Sequence, residues 1–167
     1  MKKCAFKVGE AVFYPSAGVG VIEGVEEIYI GGRWESCYVI RIKENQVTIK
    51  VPQSNAGKNG IRPLLTSRKL KELFKVLGEQ SGQRIVAGNW TEHYKDLDRR
   101  INSGSCLELG AVVRDLMRLK KHNGLSFEEA KLLETAASYL TREIATIEGI
   151  APEMAFDRIR TSVGVAA

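Results

Sequence analysis

Near residue 65 the spacing of apolar side chains changes from every second residue to every third and fourth. Alternation at period two lines one face of a strand, whereas spacing of three and four lines one face of a helix. A chain patterned in this way cannot carry one architecture across the change. It reads as two modules, strands over residues 1–64 and helices over residues 65–167, which is an α+β multi-domain organisation. A chain of 167 residues gives each module enough length to bury its own core.

The first module divides into runs rich in Val, Ile and Tyr: Glu10–Tyr14, Val19–Ile30, Arg33–Ile42 and Gln46–Val51. Turn signals separate them, at Pro15-Ser16-Ala17-Gly18, at Gly31-Gly32 and at Glu44-Asn45. Alternation places Val47, Ile49 and Val51 inward and Thr48 and Lys50 outward. Pro52 ends that run, a glycine-bearing loop over 54–60 follows, and Ile61-Arg62-Pro63 supplies a last short strand that closes a small antiparallel β-barrel. Tyr14, Tyr29, Trp34 and Tyr38 are expected to pack this barrel, the alternative being an aromatic cage for a cationic ligand.

The second module reads as all-α. A helix over Ser67–Leu77 turns Leu70, Leu73, Phe74 and Leu77 to one face, with Gly78 as its stop and a hinge at about 78–88. Asn89 is the expected N-cap of the next helix, with Glu92 completing a capping box and Trp90 at the first helical position. Ser105 and Glu108 form a second box, before a helix with Leu109, Val112, Val113 and Leu116 inward and Gly124 at its end. Ser126 and Glu129 form a third. The longest helix follows, with Ala130, Leu133, Ala137, Leu140, Ile144 and Ile147 on its apolar stripe, and Pro152 opens a short terminal helix.

Charge narrows the partners. The formal net charge is +5, and all of it lies in residues 1–80, where 13 Lys and Arg face 8 Asp and Glu; residues 81–167 hold 12 of each. Affinity for a polyanion grows with the phosphates neutralised, so a neutral helical module binds DNA weakly unless something holds it there. No apolar run is long enough to span a bilayer, and a cytoplasmic location is expected. Cys4, Cys37 and Cys106 lie far apart and without a neighbouring histidine cluster, so neither a metal, another cofactor nor a disulfide framework is expected. His93 and His122 have no nucleophile motif nearby, and Gly18-Val19-Gly20 precedes a strand rather than a helix, so it reads as a turn and not a nucleotide fingerprint. These absences argue against an enzyme.

In order and spacing, Phe6-Lys7-Val8-Gly9-Glu10, Tyr14-Pro15, Thr48-Ile49-Lys50-Val51-Pro52, Gly60-Ile61-Arg62, Asn89-Trp90 and Ile101-Asn102-Ser103-Gly104 resemble the CarD/CdnL family of bacterial transcription regulators. Val112-Val113-Arg114-Asp115-Leu116 followed by Leu125-Ser126-Phe127-Glu128-Glu129 strengthens the resemblance, which runs over about residues 6–148. It implies a Tudor-like first domain, shared with the transcription-repair coupling factor, that docks on the RNA polymerase β subunit. It also implies a helical domain that reaches promoter DNA near the upstream edge of the transcription bubble, in a protein that works as a monomer.

On that resemblance the tryptophan at 90 is a minor-groove wedge that holds the open complex; from the residues alone it reads first as part of the helical core. Asn89, His93, Lys95, Arg99 and Arg100 are the accompanying DNA-binding candidates. Thr48, Ile49 and Lys50 are the polymerase-binding candidates, because added strands supply backbone affinity at a sheet edge while outward side chains select. Lys50 reads either as a contact or as plain surface. One departure stands out: family members commonly continue Trp-x-Arg-Arg, whereas this chain has Trp90-Thr91-Glu92-His93, an acid and a weak base in place of two phosphate contacts. DNA engagement is therefore expected to be weak and to depend on the tether to polymerase, which replaces intrinsic affinity with effective concentration. The other reading is an adaptor on polymerase without DNA contact.

Overall fold

A computed structural model of the chain describes residues 6–58, 60–80 and 90–165, with Trp90 described in its backbone alone. Asn89 and its expected cap, most of the hinge expected at 78–88, Cys4 and the side chain of Trp90 lie outside the described residues. The chain divides into two compact units, Met1–Leu64 and Leu65–Ala167.

The first unit is one antiparallel sheet built from β1 (Ala11–Tyr14), β2 (Gly18–Ile30), β3 (Arg33–Ile42), β4 (Thr48–Pro52) and β5 (Arg62–Pro63). Its order is β4-β3-β2-β1-β5. Gly31 and Gly32 both take positive φ, 59° and 86°, the geometry of a tight hairpin whose twist matches its strands. The expected final strand forms, but it adds to β1 and not to β4. The sheet is therefore an open, Tudor-like one, ending on β4 at one edge and on the two-residue β5 at the other. Val12, Ile22, Tyr38, Ile40, Ile42, Val51, Ala56 and Ile61 form the core, flanked by Phe6, Tyr14, Ala17 and Ile49.

Two expectations for this sheet need correction. Val47 is 48% exposed because β4 begins at Thr48, two residues after the expected start at Gln46; its carbonyl instead accepts from Ile42 N–H in the turn. Tyr38 packs the core and its hydroxyl accepts from Phe6 N–H. Tyr29 and Trp34, at 61% and 67% exposed, pack on each other, edge to face at 5.5 Å, near the hairpin tip.

The helical unit contains α1 (Ser67–Gly78), α2 (Trp90–Ile101), α3 (Cys106–His122), α4 (Phe127–Glu148) and α5 (Pro152–Val163). Thr66 caps α1, with Oγ1 accepting from Lys69 N–H. Ser105 caps α3 through Glu108 N–H, and Ser126 with Glu129 makes the full reciprocal box on α4. Gly124 and Gly149 take positive φ past the ends of α3 and α4, where a Cβ would be strained. Leu109, Val112, Val113 and Leu116 are buried as expected.

On α4 the expected stripe shifts. Ala130 is exposed and Ile147 half-buried, while Leu132, Ala136, Tyr139 and Glu143 are buried as well. The reason is that α4 packs against α2, α3 and α5 together, so it buries more than one face. Phe74 on α1 is likewise half-buried, with the Arg158 guanidinium 4.8 Å above its ring.

Candidate docking and nucleic-acid surfaces

Thr48, Ile49 and Lys50 lie on β4, which pairs with β3 on one side and has no strand on the other among the described residues. Thr48 and Lys50 are exposed and Ile49 packs on the core, as the alternation requires. An edge strand of this kind offers unpaired backbone N–H and C=O groups to an added strand. Lys50 does not stand alone, since its Nζ lies 2.9 Å from Glu26 Oε2 on β2. Beside it, Arg41 Nε lies 2.7 Å from Glu23 Oε1. The side chain singled out as a contact therefore sits in a two-signed exposed patch, and Glu26 and Glu23 were not foreseen.

On α2, Leu97 and Ile101 are buried and His93 is half-buried. The His93 side chain, 16% exposed, brings Nε2 to 3.7 Å from Glu129 Oε2 at the start of α4. His93 thus stands against the bundle. Lys95 is exposed and has no ion-pair partner among the described residues. Arg99 donates to Asp96 Oδ1 at 2.8 Å, and that hydrogen bond, reinforced by the Asp96 charge, raises the guanidinium further above its ordinary value. Arg100 is half-buried. With Glu92, Asp96 and Asp98 interleaved with Lys95, Arg99 and Arg100, α2 is electrically balanced. It suits contacts made under a tether better than free capture of a polyanion.

The residues that carried part of the resemblance have a different task. Arg114 on α3 donates from Nη1 to Val76 O at 2.9 Å and from Nε to Asp115. Arg118 donates to Glu79 O, Leu77 O and Val163 O at 2.6, 3.4 and 3.2 Å. Two arginines of one helix thereby satisfy carbonyls at the C-terminal ends of α1 and α5, where the helix dipole also favours a cation. Glu143, fully buried on α4, accepts from Leu65 N–H at 3.0 Å and fixes the start of this unit. Among the described residues no His, Cys, Asp and Glu cluster could hold a metal, and no helix is long and apolar enough to cross a membrane.

Among the described residues the chain is thus an open antiparallel sheet followed by a separate unit of five helices. Two family descriptions match the two parts: "CarD-like/TRCF RID domain" over residues 6–65 and "CarD, C-terminal domain" over residues 72–160. YdeB of Bacillus subtilis (strain 168), named as a candidate transcription factor, is 33% identical over 145 residues, 87% of this chain and 94% of that protein. Among solved structures, CdnLNt from Myxococcus xanthus is 34% identical with a TM-score of 0.33, covering 40% of this chain and 94% of that one. The chain belongs to the CarD/CdnL family and is a transcription regulator of the kind that interacts with RNA polymerase.

Proposed function

We propose that this chain binds the β subunit of RNA polymerase through the edge strand at Thr48–Lys50 and stabilises the promoter open complex through its helical unit, without catalysis. The observation that carries the reading is the free edge of β4, which presents backbone groups and an outward Lys50 in the module matched to the polymerase-interacting family. Trp90, at the first position of α2, is assigned the minor-groove wedge, with Asn89 beside it and Lys95, Arg99 and Arg100 on phosphates. His93, close to Glu129, serves to hold α2 in place. The balanced charge of α2 supports DNA contact made under the tether, by a monomer acting in the cytoplasm.

The test is the lifetime of open complexes on the cognate polymerase, challenged with competitor DNA, for no factor, wild type and Trp90→Ala. A longer lifetime that disappears with Trp90→Ala is expected. An unchanged lifetime with polymerase binding intact would replace this reading with the adaptor one, which the pairing of Arg99 with Asp96 also favours.

A further inference from the structure

In the helical unit a cleft of about 950 Å³ opens between the end of α3, the middle of α4 and α5, within the range of about 300–1,000 Å³ typical of small-ligand sites. Its walls are apolar, with Met117, Leu133, Ala137 and Phe156 among them. Lys120, Lys121, Arg142 and Arg160 line it together with Glu134 and Glu153, an excess of positive charge.

Thr141 separates this cleft from an ordinary groove between helices. It lines the cleft, it is 8% exposed, and among the described residues its Oγ1 is buried with no hydrogen-bond partner. A threonine inside a helix normally returns its hydroxyl to the carbonyl four residues back. Thr146, on the same helix, does so, donating to Arg142 O at 2.8 Å. A second donor is in the same condition: Arg160 Nε is buried without a partner, although the far end of that guanidinium pairs with Asp157. Buried polar groups left unmatched are uncommon in native folds and call for a missing acceptor.

We propose that this cleft binds an amphipathic organic anion, whose acid group accepts from Thr141 Oγ1 and Arg160 Nε and whose apolar body lies along the α3–α5 walls. Both unmatched groups can donate, and the surrounding charge is mainly positive, so the complement is an anionic acceptor and not a cation. The acceptor must reach a hydroxyl that is nine-tenths buried. The end of a slender chain can do that, whereas the backbone of a partner helix lying across the mouth cannot.

The full-length chain would be titrated with decanoate below its micelle concentration and followed by amide chemical shifts, with decyltrimethylammonium as the charge control. Shifts confined to α3, α4 and α5 around the cleft are expected with decanoate and not with the cation. Thr141→Val should weaken decanoate about tenfold, the size of one hydrogen bond to a charged group, while leaving the thermal midpoint unchanged or higher. Ala130→Trp, at an exposed position lining the cleft, should block binding with the fold intact.

Equal binding of both amphiphiles, no shifts at millimolar decanoate, or a lowered midpoint in Thr141→Val would overturn the proposal. Shifts produced only by an acidic amphipathic peptide, or only by anionic phospholipid vesicles, would overturn it in favour of a protein or a membrane surface.

Discussion

His93 Nε2 on α2 lies 3.7 Å from Glu129 Oε2, and the same carboxylate, through Oε1, accepts from Ser126 N–H at 3.0 Å. One side chain therefore closes the capping box of α4 and faces the helix that begins at Trp90. Glu129→Ala should destabilise the protein by about 1–2 kcal/mol, the range of a lost cap. Glu129→Gln, which can still reach back to Ser126 N–H, should cost less than half of that. Urea denaturation would measure both. Amide exchange in α2 should rise in Glu129→Ala by more than the global change accounts for.

Arg118 reaches across to three carbonyls, those of Leu77 and Glu79 at the end of α1 and of Val163 at the end of α5, with one guanidinium. Arg118→Met should cost about 1.5–3 kcal/mol, as expected for hydrogen bonds made by a charged group. Arg118→Lys should recover little, because one ammonium cannot span carbonyls on α1 and α5 as a planar fork does. Thermal and urea melts of the pair would separate loss of charge from loss of geometry.

Two glycines sit where a Cβ has no room, and they should respond differently. At Gly20 it would meet Ile40 Cγ2 at 2.7 Å and the carbonyl oxygen of Arg41 at 3.1 Å. A ladder carbonyl cannot retreat, so Gly20→Ala should cost about 2–3 kcal/mol. At Gly110 the clash is with Leu73 Cδ1 at 2.5 Å, the end of a side chain. There the gain of about 1 kcal/mol in helix propensity offsets part of the strain, and Gly110→Ala should be the milder change. Matched denaturation curves would decide the order.

Cys37 on β3 has no exposed surface. Burial, followed by the nearby carboxylates of Glu35 and Glu27, pushes its thiol up from the ordinary value. The folded state therefore keeps the proton longer than the unfolded one. The stabilisation is fully present below the unfolded thiol value of about 8.5 and is lost as pH rises from there through the folded value. The difference in urea midpoint between wild type and Cys37→Ala should be constant near pH 7 and shrink above pH 9. A difference independent of pH would show that the thiol does not titrate between the two states.

How much of this was legible in the sequence depends on how local each cause is. The two modules follow from apolar period, and the box at Ser126 and Glu129 from residues three apart, so both could be read directly. The expectation that Tyr29 and Trp34 pack the barrel fails. Alternation tells which face a strand residue takes but not whether anything covers that face, and the hairpin tip extends beyond the core. Arg114 was visible as part of a motif, but its acceptor is 38 residues away in sequence, a contact that only tertiary packing creates. The wedge role of Trp90 comes from the resemblance, since from the residues alone a bulky apolar side chain at the start of a helix reads first as a core position.

Lys50 gives the sharpest test of the docking edge, because its partner is known. With Lys50 and Glu26 about half exposed, their attraction contributes at most about 1 kcal/mol to the fold. Lys50→Glu should therefore leave the protein folded, while placing two carboxylates together and removing the outward cation beside the edge. If Lys50 contacts polymerase, binding should weaken in Lys50→Glu, with a smaller dependence on ionic strength. The double variant Lys50→Glu/Glu26→Lys restores an ion pair within the sheet but puts the cation on β2 in place of β4. Stability should then return to the wild-type value while polymerase binding does not. Recovery of both in the double variant would mean that Lys50 serves only the sheet, and that the edge is selected by its backbone and by Thr48.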